Sequence, residues 1–161
     1  MASFDEHINQ ATRNLLFLTE TNLKNQSFWD WQVTVSFYVA VHLVNAHLAA
    51  VGNLHYRTHE DVKNAINPHN PLALCQIREE IYLCYAKLEG LSRRARYLCN
   101  DNLKDASIAV HFTYDRHFAK AIKNLDKLLE YFTAVYGFSF PKPKVTCADL
   151  SASDKLKTFQ I

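Results

Sequence analysis

The chain has 161 residues, 48% of them apolar, with 18 Lys+Arg against 16 Asp+Glu and only 3 Gly and 4 Pro. That is far below the ordinary Gly and Pro share of about 12%, and too few for the turns that sandwiches and barrels need every ~8–12 residues. Gly52, Gly90 and Gly137 are too scattered for a glycine-rich phosphate loop, and a formal charge of +2 makes no bulk case for nucleic acid or membrane.

The expectation is a single all-α domain over residues 1–137, an antiparallel bundle of four to five helices, with a tail over 138–161. The first helix opens on Ser3 and Glu6, a capping-box pair. Phe4, Ile8, Ala11, Leu15 and Leu18 then recur at steps of four and three, one apolar face. Polar residues 19–26 end it. Ser27 with Asp30 starts a second helix that runs to Val51 and stops at Gly52, read as a left-handed cap. It is apolar nearly all round, so it takes the centre of the bundle.

Thr58 with Asp61 starts a short helix to Ile66. Asn70 as cap and Pro71 in the first helical position then predict a long helix to Leu98. Its apolar phase, from Leu74 and Ile77 to Ala95 and Leu98, passes through Gly90 unbroken. Residues 100–111 read as a loop. Thr113 caps a last helix with Phe118, Ile122, Leu125, Leu129, Phe132 and Tyr136 inward, ended by Gly137. The tail, with Pro141 and Pro143, becomes ordered only by docking.

Cys75, Cys84, Cys99 and Cys147 show no CxxC spacing, which predicts reduced, mostly buried thiols in a cytoplasmic protein. The N-terminal residues lack the basic start and apolar centre of a signal peptide. Residues 31–51 are long and apolar enough for a membrane span. Gln32, His42, Asn45 and His47 within them, without flanking Lys or Arg, favour a core helix and no membrane.

Three constellations bear on function. Thr34, Tyr38, His42 and Asn45 form a polar seam along one side of the second helix. It reads as a pocket or dimer contact, or as a satisfied internal network. The histidines His42, His47, His55 and His59 could supply metal ligands, as in DinB-like helical hydrolases. However, His42 and His47 point ~140° apart on their helix, and no HExxH pair is present. Structural histidines, no metal and no cofactor are expected.

Third, Arg93, Arg94 and Arg96 cluster beside Tyr97, and Arg116, Lys120, Lys123 and Lys127 line one face of the last helix. Such stripes bind phosphate backbones, with an aromatic to stack on a base. An ordinary solvated face, diluted by Asp126 and Glu130, is the alternative. No GxSxG or cysteine–histidine signature marks a nucleophile.

Taken in order, Trp29-Asp30-Trp31, Phe37-Tyr38-Val39-Ala40-Val41-His42, Thr58-His59 and Leu91-Ser92-Arg93-Arg94-Ala95-Arg96-Tyr97 resemble small bacterial proteins of the HEPN-like class over residues 27–132. The resemblance implies an antiparallel bundle, often a homodimer, in a class that includes RNA-cleaving toxins, nucleotidyltransferase partners and RNA- or nucleotide-binding domains. Ribonucleases of that class carry an arginine followed four to six residues later by a histidine. Here Arg57 stands two residues before His59, Arg116 is next to His117, and Arg93, Arg94 and Arg96 have no histidine before His111.

The resulting expectation is a non-catalytic HEPN-like domain that binds RNA, a nucleotide or a protein partner, in a toxin–antitoxin or defence setting. Tyr38, His42, His59, Arg93, Arg96 and Tyr97 would form the ligand site, and Arg116, Lys120, Lys123 and Lys127 a nucleic-acid stripe. A divergent metal-independent ribonuclease using His42 or His59 with Arg96, and a metal-dependent bundle enzyme, are the alternatives.

Overall fold

The structure is a computed structural model that describes residues 2–98 and 112–161. Five α-helices build it: α1 Phe4–Lys24, α2 Trp29–Gly52, α3 His59–Ile66, α4 Glu79–Tyr97 and α5 Asp115–Tyr136. No strand occurs among the described residues, which makes the fold all-α. The loop predicted over 100–111, and Cys99, lie outside them.

The helix starts follow from local chemistry. The Ser3 hydroxyl accepts from the Glu6 N–H at 3.3 Å while Glu6 accepts from the Ser3 N–H at 2.7 Å. Such a reciprocal cap stabilises a helix by about 1 kcal/mol. Thr58 caps α3 from one side only, its hydroxyl accepting from the Asp61 N–H at 3.1 Å. At α5 the cap is Tyr114 rather than Thr113, and its N–H is accepted by His117 Nδ1 at 2.9 Å.

Other boundaries also differ from the sequence reading. First, α1 continues to Lys24, because the polar residues after Thr19 include Asn22, which is fully buried and bonded. Second, α2 keeps Gly52 as a helical residue, and Asn53 takes the left-handed cap at φ 49°. Ser27 bonds Asn25 instead of capping α2. Third, α4 begins at Glu79, well after Pro71.

That late start has a clear cause. The Asn70 side chain accepts from the Leu72 N–H at 3.0 Å, closing a turn that competes with helix. Beyond it, the N–H groups of Cys75 and Ile77 bond the carbonyls of Ala65 and Ile66 at the end of α3. Cys75 and Ile77 are buried while Gln76 is exposed, a two-residue period that sets an extended segment. Leu74, expected inside, is 70% exposed.

Helices α1, α2, α4 and α5 pack up, down, up and down around α2. The His7–His42 contact and the Asn22–Gln32 bond hold opposite ends of α1 and α2 together, so they run antiparallel. Trp29 meets Phe118 at one end of the α2–α5 pair, and His47 meets Phe132 and Tyr136 at the other. Helix α4 reverses between them, with Tyr85 against Phe37 and Glu80 against Lys127. Burying each Leu, Ile or Phe of this core contributes about 1.5–3 kcal/mol.

Helix α2 has 14 buried residues among 24, as befits its apolar circumference. By length and composition it could cross a bilayer, yet 61% of its most apolar window is buried inside the protein.

The tail docks. Val145, Cys147, Leu150 and Phe159 are buried, and Thr146 exchanges two hydrogen bonds with the Asn22 side chain at 2.6 and 3.0 Å. Farther on, the buried Asp126 carboxylate accepts from the N–H groups of Lys157 and Thr158 and from the Thr158 hydroxyl. Cys75, Cys84 and Cys147 are free and buried, and burial pushes each thiol up, away from the reactive thiolate.

Candidate functional site

The polar residues of α2, the seam and His47 on another face, divide into two groups with different fates. Toward the C-terminal end, His47 Nδ1 meets the Tyr136 hydroxyl at 2.6 Å and Nε2 meets the Cys75 carbonyl at 3.2 Å. One ring thereby ties α2 to α5 and to the segment before α4. Asn45 bonds back to the Val41 carbonyl at 2.9 Å. These groups are internal fittings of the bundle.

His42 joins a cluster with His7 and His55. The two Nδ1 atoms of His7 and His42 lie 3.2 Å apart, so the pair shares one proton. The His55 ring stacks on His7 with centroids 5.7 Å apart. Burial lowers the basicity of His7 and His42, and each is lowered further by a neighbouring histidine. No group of three His, Cys, Asp or Glu side chains is arranged to hold a metal ion among the described residues. His7 was not anticipated; its position one turn before the buried Ala11 was the available signal.

The N-terminal half of the seam faces α4 and remains open. Asp30, Trp31 and Thr34 on α2, with Ala95 and Arg96 on α4, line a small cleft of about 160 Å³. Antiparallel packing of α2 on α4 brings the start of one helix to the end of the other, which delivers Arg96 to this place. Trp31 is 63% exposed and Tyr97 67% exposed. The Arg96 guanidinium lies 5.2 Å from the Tyr97 ring centroid, while its Nε donates to the Ser92 carbonyl at 3.4 Å.

One turn along α2, Tyr38 meets the His59 ring edge-on at 6.4 Å, and Phe37 meets it at 5.0 Å. His59 is shifted below the usual imidazole range. Burial is the main cause, Glu89 opposes it, and the positive charge of Arg96 adds to it. Tyr38, His59, Arg96 and Tyr97 thus form a chain of neighbours along the α2–α3–α4 side. His42 belongs to the His7 cluster instead. Arg93 lines a separate hollow with Lys63, Ala86, Glu89 and Gly90.

The basic stripe of α5 is partly neutralised. Lys123 pairs with Asp154 at 2.5 Å and Lys127 with Glu80 at 2.7 Å. Arg116 lies over the Tyr114 ring, and Lys120 borders an apolar hollow with Leu83, Ala86, Gly90 and Leu91. Two of the four cations therefore brace the tail and α4, a use that helical spacing alone does not reveal.

The sequence places Asp30 and Trp31 in a motif and does not assign them to the site. Extending the seam by one turn, 30–34–38, would have found Asp30. No protein-family model matches the chain, and no curated protein or solved structure matches it.

Proposed function

We propose that the chain is a non-catalytic HEPN-like helical domain whose α2–α4 cleft binds single-stranded RNA or a nucleotide. The observation that carries this reading is the cleft itself. Arg96 presents a guanidinium beside two largely exposed aromatic rings, Trp31 and Tyr97. A guanidinium meets phosphate with charge-assisted bonds, and aromatic faces stack on unpaired bases. The resemblance to HEPN-like proteins, which include RNA- and nucleotide-binding domains, supports the same ligand class.

Binding of a labelled single-stranded RNA, followed by fluorescence anisotropy at low and moderate salt, tests the proposal. Affinity falls as salt rises, and Arg96→Ala weakens it by about tenfold, the scale of one charge-assisted contact. Salt-independent binding, or an unchanged Arg96→Ala affinity, rejects this site. Sedimentation of the same protein tests the homodimer that the resemblance implies.

A second reading rests on His59. Burial keeps its imidazole neutral, and Arg96 lies close enough to act on it electrostatically. A neutral histidine accepts a proton and an arginine stabilises phosphate charge, the two roles of metal-independent RNA cleavage. RNA cut in the presence of chelator, and left intact by His59→Ala, would favour this reading over pure binding.

A further inference from the structure

The cleft contains two polar side chains that the fold does not use. Thr34 is 5% exposed, lines the cleft, and has no hydrogen-bond partner among the described residues. Ser36, on the same helix, shows the usual alternative: its hydroxyl turns back to the Gln32 carbonyl at 2.8 Å. Asp30, one turn before Thr34 and exposed, makes no side-chain hydrogen bond or ion pair among the described residues and lines the same cleft. A polar side chain nine-tenths buried and turned into a cleft without a protein partner takes its bond from water or from a ligand seated there.

An ionised carboxylate offers lone pairs only. A base edge that suits it must present two adjacent N–H donors. Guanine does so with N1–H and N2–H on its Watson–Crick edge. Adenine and cytosine each set a donor beside a ring nitrogen acceptor, and uracil flanks its single donor with two carbonyls. Against Asp30, each of those bases turns at least one lone pair toward a carboxylate oxygen.

We propose that the cleft is selective for guanine, with Asp30 as the specificity-determining residue; this rests on the RNA-binding reading above. The Asp30 carboxylate accepts from N1–H and N2–H. The Thr34 hydroxyl donates to the neighbouring O6. Trp31 covers one face of the base, and Arg96 holds the phosphate. A lysine- or arginine-bearing peptide would also suit an acid beside an indole, but Arg96 on the facing wall repels it.

The experiment compares short labelled oligouridylates that carry one central guanine, adenine, cytosine or uracil. The guanine strand binds at least about fivefold tighter than the others, the low end of what one bidentate pair discriminates. Asp30→Asn, which converts one acceptor into a donor, removes that preference, so that the guanine strand binds no tighter than the other three. Equal affinity for all four strands overturns the guanine proposal while leaving RNA binding intact. A preference that survives in Asp30→Asn overturns the role of Asp30. Failure to bind any strand overturns the RNA reading itself, and tighter binding of a labelled oligo-lysine peptide replaces it with a cationic ligand.

Discussion

The two halves of α2 both carry polar residues and use them in opposite ways. Near the C-terminal end, His47 spends both ring nitrogens on Tyr136 and Cys75, and His42 closes against His7. Near the N-terminal end, Asp30 and Thr34 bond nothing among the described residues and line a cleft with Arg96. A buried polar group must find a hydrogen bond or stay costly. The first half meets most of that demand inside the protein, although Asn45 Oδ1 and His7 Nε2 stay without a partner; in the second, Thr34 and the exposed Asp30 are left to water or to a ligand.

Acid acts most strongly on the closed half. His7, His42 and His47 in that half, with His59 and His117 elsewhere, are all held below the usual imidazole range, burial being the first cause in each. In the unfolded chain they titrate near pH 6.5. As pH falls through that value, the unfolded state takes up protons that the folded state refuses. Stability is therefore complete above about pH 6.5 and declines below it, by about 1.4 kcal/mol per pH unit for each histidine that stays neutral. Urea unfolding at pH 7 and pH 5.5 measures this, and equal midpoints would show that the histidines are not held neutral.

His47→Ala is next in size. It leaves the Tyr136 hydroxyl and the Cys75 carbonyl without their partner and opens a hole at the α2–α5 contact, for a loss of about 3 kcal/mol. Chemical denaturation at neutral pH reads it directly. A loss under about 1 kcal/mol would make His47 dispensable and weaken the contrast between the halves.

Tyr85→Phe runs the other way. The Tyr85 hydroxyl is fully buried against α2 without a hydrogen bond, so removing it leaves stability unchanged or raises it by up to about 1 kcal/mol. A clear loss in thermal melts would reveal a bond the hydroxyl makes. The smallest effect belongs to the open half: Thr34→Val changes stability by less than about 0.5 kcal/mol, because nothing in the fold depends on that hydroxyl. A larger loss, seen in the same melts, would make Thr34 a structural residue and close the cleft as a binding site.

Helix type and order were legible in the sequence because apolar spacing and the Ser3 and Thr58 caps act locally. The start of α4 was not. Pro71 and Asn70 have the composition of a helix start, but the carbonyls at the end of α3 compete for the N–H groups of Cys75 and Ile77, and only the tertiary arrangement brings them near. The site was half legible. Tyr38, His59, Arg96 and Tyr97 do become neighbours, since antiparallel packing joins the start of α2 to the end of α4. His42 and Arg93 left the set, the first drawn off by His7 and the second turned to another face. The pairing of Lys123 and Lys127 depended on a docked tail and on α4, which no pattern within α5 encodes.

The Asn22–Thr146 bond has a consequence for how the chain comes off the ribosome. Its two residues are 124 positions apart, while α1 and α2 form a hairpin of adjacent helices early in synthesis. Local helix pairs assemble quickly and long-range contacts late. The nascent hairpin therefore waits, with the carbonyl oxygen of Asn22 unclaimed, until nearly the whole protein has emerged. Chains stopped before residue 146 lack the backbone N–H and carbonyl that meet the Asn22 side chain, so in them that end of α1 is left to water.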